Sequence, residues 1–96
     1  MTDTAVRRTV RIVNRLGLHA RPAAALVQLA SGFECSVEVE RGELRVNAKS
    51  IMGVLMLAAE HGAELIIHAA GPDAEPAVEA LADLVDRGFE DVDEGI

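Results

Sequence analysis

The stretch Leu16-Gly17-Leu18-His19-Ala20-Arg21-Pro22-Ala23-Ala24 sets a histidine and an arginine two residues apart, where an apolar, alanine-rich run begins. Proline is tolerated in a helix only within its first turn, where its missing N–H has no intrahelical use. Pro22 therefore predicts a helix starting at His19 or Ala20. The N–H groups of Ala20 and Arg21 would then lie open beside His19. Together with the helix dipole they favour an anion at that spot. Arg21 adds a guanidinium whose fork matches phosphate oxygens. A neutral imidazole nitrogen beside such a cradle is suited to taking up and handing on a phosphoryl group. No water-activating carboxylate or metal-ligand cluster stands nearby, so a carrier fits this stretch better than a hydrolase. On spacing alone, His19 also fits a plain helix-start histidine and Arg21 a solvated charge.

These residues need elements to hold them. Val10 and Ile12 alternate with Thr9 and Arg11, which predicts a half-buried strand from about Arg7 to Asn14. Gly17 breaks it. Ala23, Leu26, Val27 and Ala30 then follow helical spacing, and Ser31-Gly32 ends the run. Phe33, Cys35, Val37 and Val39 alternate with Glu34, Ser36, Glu38 and Glu40, a strand with one core face and one wet face. Arg41-Gly42 reads as a tight turn, and Leu44, Val46 and Ala48 as the return strand. Ser50 is the N-cap of a short apolar helix over Ile51–Ala59, which Gly53 weakens. Leu65, Ile67 and Ala69 mark a fourth strand, Gly71-Pro72-Asp73 a turn and cap, and Ala77, Val78, Leu81, Leu84 and Val85 the inner stripe of a last helix ending near Gly88. The order is β-α-β-β-α-β-α. It predicts an α+β fold in which a four-stranded antiparallel sheet is covered on one face by three helices. The 96 residues suit a single domain, 1–96, with an ordered core over about 6–89 and a loose acidic tail over 90–96.

Composition narrows the function classes. The chain is 50% hydrophobic but only 2% aromatic, with no Trp or Tyr, so stacking platforms for single-stranded nucleic acid are missing. A net charge of −7 disfavours unassisted contact with phosphate backbones. The charge is uneven: Arg7, Arg8, Arg11, Arg15 and Arg21 crowd the first quarter, which puts anion handling on the N-terminal side. One cysteine, Cys35, allows no internal disulfide and reads as a small buried hydrophobe. No apolar run approaches the roughly 18–20 residues of a membrane span. A cytoplasmic monomer without cofactor, metal, nucleic-acid partner or membrane insertion is expected. His61, in a helix-ending turn, and His68, on the wet face of a strand, share no ligand spacing with His19. The terminal DVDEG opens like a calcium loop but stops short of its later ligands. No phosphate-loop motif of the G-x-x-x-x-G-K type exists.

"GLHARPAA" followed by "NAKSIMGVLML" resembles the HPr family, the histidine phosphocarriers of the bacterial phosphoenolpyruvate-dependent phosphotransferase system. The resemblance runs from about Arg7 to Phe89. It implies the family's open-faced β-sandwich. It implies that His19 accepts phosphate on Nδ1 from phospho-enzyme I and passes it to an EIIA-type protein, with Arg21 and the Ala20 region steadying the phosphate. Such a protein is a carrier rather than an enzyme, and its partners supply most of the catalysis. Ser50 matches the serine modified by HPr kinase/phosphorylase, a further implied partner, and Ile51, Met52 and Leu55 match the family's apolar docking patch, bordered by Ala20, Arg21 and Ala24. Gln28 and Ser31 stand where enteric members often carry lysines, which implies less basic steering of partners. "NRLGLHARPA" and "RGFEDVDE" look like the nitrogen-related NPr branch, where the terminal acceptor is regulatory rather than a sugar importer. The competing class is a regulatory HPr-like binding module acting through Ser50 and the Ile51/Met52/Leu55 patch.

Overall fold

The computed structural model describes residues 5–93. Its elements are β1 (Ala5–Arg11), α1 (Ala20–Ser31), β2 (Ser36–Arg41), β3 (Leu44–Asn47), α2 (Ile51–Met56), β4 (Glu64–Ala70), α3 (Ala74–Asp86) and α4 (Glu90–Asp93). The strands form one sheet in the order β1-β4-β2-β3, and every neighbouring pair is antiparallel.

Alternation decides which face is covered. Val10, Val37, Val39, Leu65, Ile67 and Ala69 are buried and point to the helices, where Ala23, Leu26 and Ala30 of α1 and Ala77, Val78, Leu81 and Val85 of α3 meet them. The opposite face carries cross-strand polar contacts: an ion pair from Arg45 Nε to Glu38 Oε1 at 2.6 Å and a hydrogen bond between His68 Nε2 and Glu40 Oε1 at 2.7 Å. Glu38 and Glu40 are therefore engaged across strands rather than merely solvated. Gly42, at φ +59°, supplies the left-handed residue of the two-residue turn between the paired Arg41 and Leu44.

Several local readings differ from the sequence pattern, beginning with β1, which runs over Ala5–Arg11 rather than from about Arg7 to Asn14. β2 begins at Ser36, not Phe33, because the Glu34 and Cys35 N–H groups donate to the Asp73 carboxylate at 2.9 and 2.8 Å instead of to a strand. Asp73 is the N-cap of α3 but makes no side-chain cap bond, since that carboxylate is committed to the two N–H groups just ahead of β2. α2 stops at Met56, three residues early, where Ala58 turns into the left-handed region at φ +48°. The expected loose tail is also shorter: Glu90–Asp93 forms α4, and Val92 packs against the core beside the fully buried Phe89. The rest of the tail expected over 90–96 lies outside the described residues.

The bonds to Asp73, above all from the Glu34 N–H, hold its carboxyl below its ordinary 3.8. A depressed folded value means the stabilisation is present above the ordinary range and is lost as pH falls toward the folded value. The stability gap between wild type and Asp73→Asn is therefore expected to narrow as pH falls below the ordinary carboxylate value of 3.8. Melting temperatures across that range check it, and a gap that widens in acid contradicts it. Burial, reinforced by Asp73, pushes the neighbouring Cys35 thiol up, so it stays protonated and inert near neutrality.

Candidate functional site

α1 starts where Pro22 demands. His19 is its N-cap, with extended backbone (φ −79°, ψ −168°), and its carbonyl accepts the first intrahelical bond, from the Ala23 N–H at 2.9 Å. Its ring makes no cap bond to the helix. The N–H groups of Ala20 and Arg21 precede the first residue that can donate back along the helix, and Pro22 has none to offer. The helix mouth thus presents two outward-facing amide donors beside a half-buried imidazole. Arg21 is exposed in the same turn and, among the described residues, enters no ion pair. A free guanidinium, two amide donors and the positive end of a twelve-residue helix make a place for a dianionic group beside the ring.

The segment before His19 is fixed by backbone contacts from two directions. Ile12 and Gly62–Ala63 exchange bonds of 2.9 and 2.7 Å, the Leu18 N–H donates to the Ala59 carbonyl at 2.8 Å, and Asn14 Nδ2 donates to the Gly17 carbonyl at 2.7 Å. Gly17, at φ +72°, lies so close to the α2–β4 connection that a Cβ would come within 2.6 Å of the Ala59 carbonyl oxygen. The loop carrying the histidine is therefore built onto the end of α2.

α2 begins at Ser50, whose Oγ accepts the Gly53 N–H at 3.1 Å, so the cap read from sequence forms. Gly53 sits tightly against β3: a Cβ there would meet Val46 Cβ at 3.3 Å, a contact that asks the neighbour to give by a few tenths of an ångström. Val54 and Leu57 face inward. Ile51, Met52 and Leu55 are exposed, as are Ala20 and Ala24 on α1, which packs against α2. Four further exposed apolar residues escaped the pattern: Val13 and Leu44 outside α2, Leu16, 50% exposed ahead of the histidine, and Met56, 64% exposed on the same helix. Met56 continues the i, i+4 row from Met52, a spacing that signals it. The result is an apolar surface on α2, rich in flexible methionine.

The other histidines stay apart from this site in role. His61 is exposed in a turn, and His68 is engaged by Glu40 on the open sheet face. Among the described residues, no three His, Cys, Asp or Glu side chains gather to hold a metal ion, and no helix is long and apolar enough to cross a membrane.

The comparisons with known proteins converge on one family. The family model described as PTS HPr component phosphorylation site matches residues 6–87. Phosphocarrier protein HPr of Treponema pallidum is 49% identical over 86 residues, 90% of this chain and 98% of that protein. Phosphocarrier protein NPr of Shewanella violacea is 40% identical over 88 residues, covering 92% and 97%. The crystal structure of HPr-C-His from Thermoanaerobacter tengcongensis superposes with a TM-score of 0.85 at 45% identity, covering 88% of this chain and 94% of that one.

Proposed function

Because the chain belongs to the HPr family of phosphocarrier proteins, we propose that His19 carries the phosphoryl group, receiving it from phospho-enzyme I and passing it to an EIIA-type protein. The observation that carries the assignment is His19 at the N-cap of α1, beside the amide donors of Ala20 and Arg21. His61 and His68 have no such helix mouth. As the Nδ1–P bond forms, the donor's bond to phosphorus breaks, and the transferred oxygens meet the two amides and the Arg21 guanidinium. The cradle serves the charge in either direction of transfer, which suits a carrier that must both load and unload. The apolar α2 surface gives partners a place to seat beside the histidine.

The test is incubation with enzyme I and phosphoenolpyruvate, followed by intact mass and acid treatment. One added, acid-labile phosphoryl group supports the carrier. Its absence with a competent enzyme I contradicts it and leaves the regulatory binding module.

Arg21→Ala is expected to slow transfer roughly 10- to 100-fold. Unfolding free energy should stay within about 0.5 kcal/mol of wild type, because the side chain is exposed. Rapid-quench transfer and circular dichroism melts check the two halves separately, and extensive unfolding would show Arg21 to be structural.

Ser50 offers a second point of control. A phosphoryl group on its Oγ would stand at the α2 N-terminus beside Ile51 and Met52, placing charge against the apolar docking surface. Both HPr and NPr relatives match at high coverage. The general carrier chemistry is therefore proposed here, ahead of either a sugar-uptake or a nitrogen-related branch.

A further inference from the structure

Arg41 closes β2 on the helix-facing side, in step with Val37 and Val39, yet it is not a core residue. Its guanidinium reaches across to the end of α2. Nη1 donates to the Leu57 carbonyl at 2.9 Å and to the Ala58 carbonyl at 2.8 Å, and Nη2 donates to Glu60 Oε1 at 2.6 Å. The last carbonyls of a helix lack intrahelical partners, and a cation is favourable there.

These three contacts bracket Ala59. Its carbonyl anchors the Leu18 N–H at 2.8 Å, and Gly17 packs against the same oxygen. Ala58 must hold φ +48°, an unfavourable conformation for a residue with a Cβ, to present that carbonyl. Leu18 is buried and directly precedes His19. One fork thus holds both sides of the peptide that fixes the residue before the phosphoacceptor.

We propose that Arg41 is a positioning residue for His19, acting through the Leu57–Glu60 segment; this rests on the phosphocarrier reading above. Arg41 touches neither phosphate nor ring. It keeps the Ala59 carbonyl in place so that Leu18 delivers His19 to the helix mouth in one orientation. A lysine offers a point charge without the planar fork and restores only part of this.

The test compares wild type, Arg41→Ala, Arg41→Lys and a core control, Val78→Ala in α3. Phosphoryl transfer from phospho-enzyme I is followed at saturating concentrations of this chain, alongside melting curves and backbone amide spectra. Arg41→Ala is expected to lower the saturated rate about tenfold, the scale of a small misplacement of a reacting group. Arg41→Lys should fall between it and wild type. Val78→Ala should lose melting temperature yet transfer at the wild-type rate. The amides of Leu18, His19 and Ala20 should shift in Arg41→Ala and not in Val78→Ala. Wild-type transfer by Arg41→Ala, equal slowing in Val78→Ala, or unmoved amides at 18–20 each overturns the proposal. If Arg41→Ala does not fold, Arg41→Lys carries the same comparison. If wild type takes no acid-labile phosphate, the phosphocarrier reading fails, and the amide shifts alone decide whether Arg41 positions His19.

Discussion

His19→Ala is expected to abolish phosphate acceptance while leaving the protein folded. The capping contact of residue 19 is its own carbonyl, which alanine keeps, and the ring makes no cap bond to α1. Histidine is not among the strong N-cap residues, so the exchange should cost less than about 1 kcal/mol of stability. Acceptance, in contrast, should fall below detection, because no other histidine has amide donors at a helix mouth beside it. Intact mass after incubation with enzyme I and phosphoenolpyruvate, set against a thermal melt, separates the two effects. Persistent acid-labile phosphate in the variant would move the acceptor to His61 or His68.

Gly17→Ala should damage fold and function together. The substitution forces an alanine to φ +72° and drives its Cβ to 2.6 Å from the Ala59 oxygen and 2.9 Å from the Glu60 Cα. Those are backbone atoms on a connection held from both ends, so they cannot swing aside as a flexible side chain would. The backbone penalty and the clash together should cost about 2–4 kcal/mol. For a chain of this size, that lowers the melting temperature by roughly 10–25 °C. Gly42→Ala is the internal comparison: its φ is +59°, and a Cβ there meets nothing within 4 Å. It bears the backbone penalty alone. Equal losses in the two variants would show that close approach to Ala59 is not what requires glycine at 17.

Most of the fold was legible because it is written in local periods. Val37, Val39, Leu65 and Ile67 alternate, and all four are buried. Pro22 fixed the first residues of α1, and with them the placing of His19 at its N-cap. Ser50 was readable as a cap because its partner, Gly53, is three residues away. What stayed hidden depends on contacts distant in sequence. Nothing near Phe33–Cys35 announces that Asp73 takes the N–H groups there, and the alternation of 33 and 35 with 37 imitates a longer strand. Arg41-Gly42 carries a strong turn signal that concealed the reach of Arg41 to Leu57 and Ala58. The end of α2 was misplaced because Leu57-Ala58-Ala59 favours helix locally, and the left-handed Ala58 gains its support from Arg41, 17 residues back. The acidic residues after Phe89 masked Val92, whose packing against the core accompanies α4.

The central claim is that one atom, Nδ1 of His19, holds the phosphoryl group. Nitrogen-detected magnetic resonance of the uniformly labelled protein, before and after loading by enzyme I and phosphoenolpyruvate, tests it most directly. The account predicts that the His19 ring alone acquires phosphorus coupling, at Nδ1, while the rings of His61 and His68 acquire none. Coupling at either of those rings, or a loaded phosphate with no coupling at His19, would contradict it.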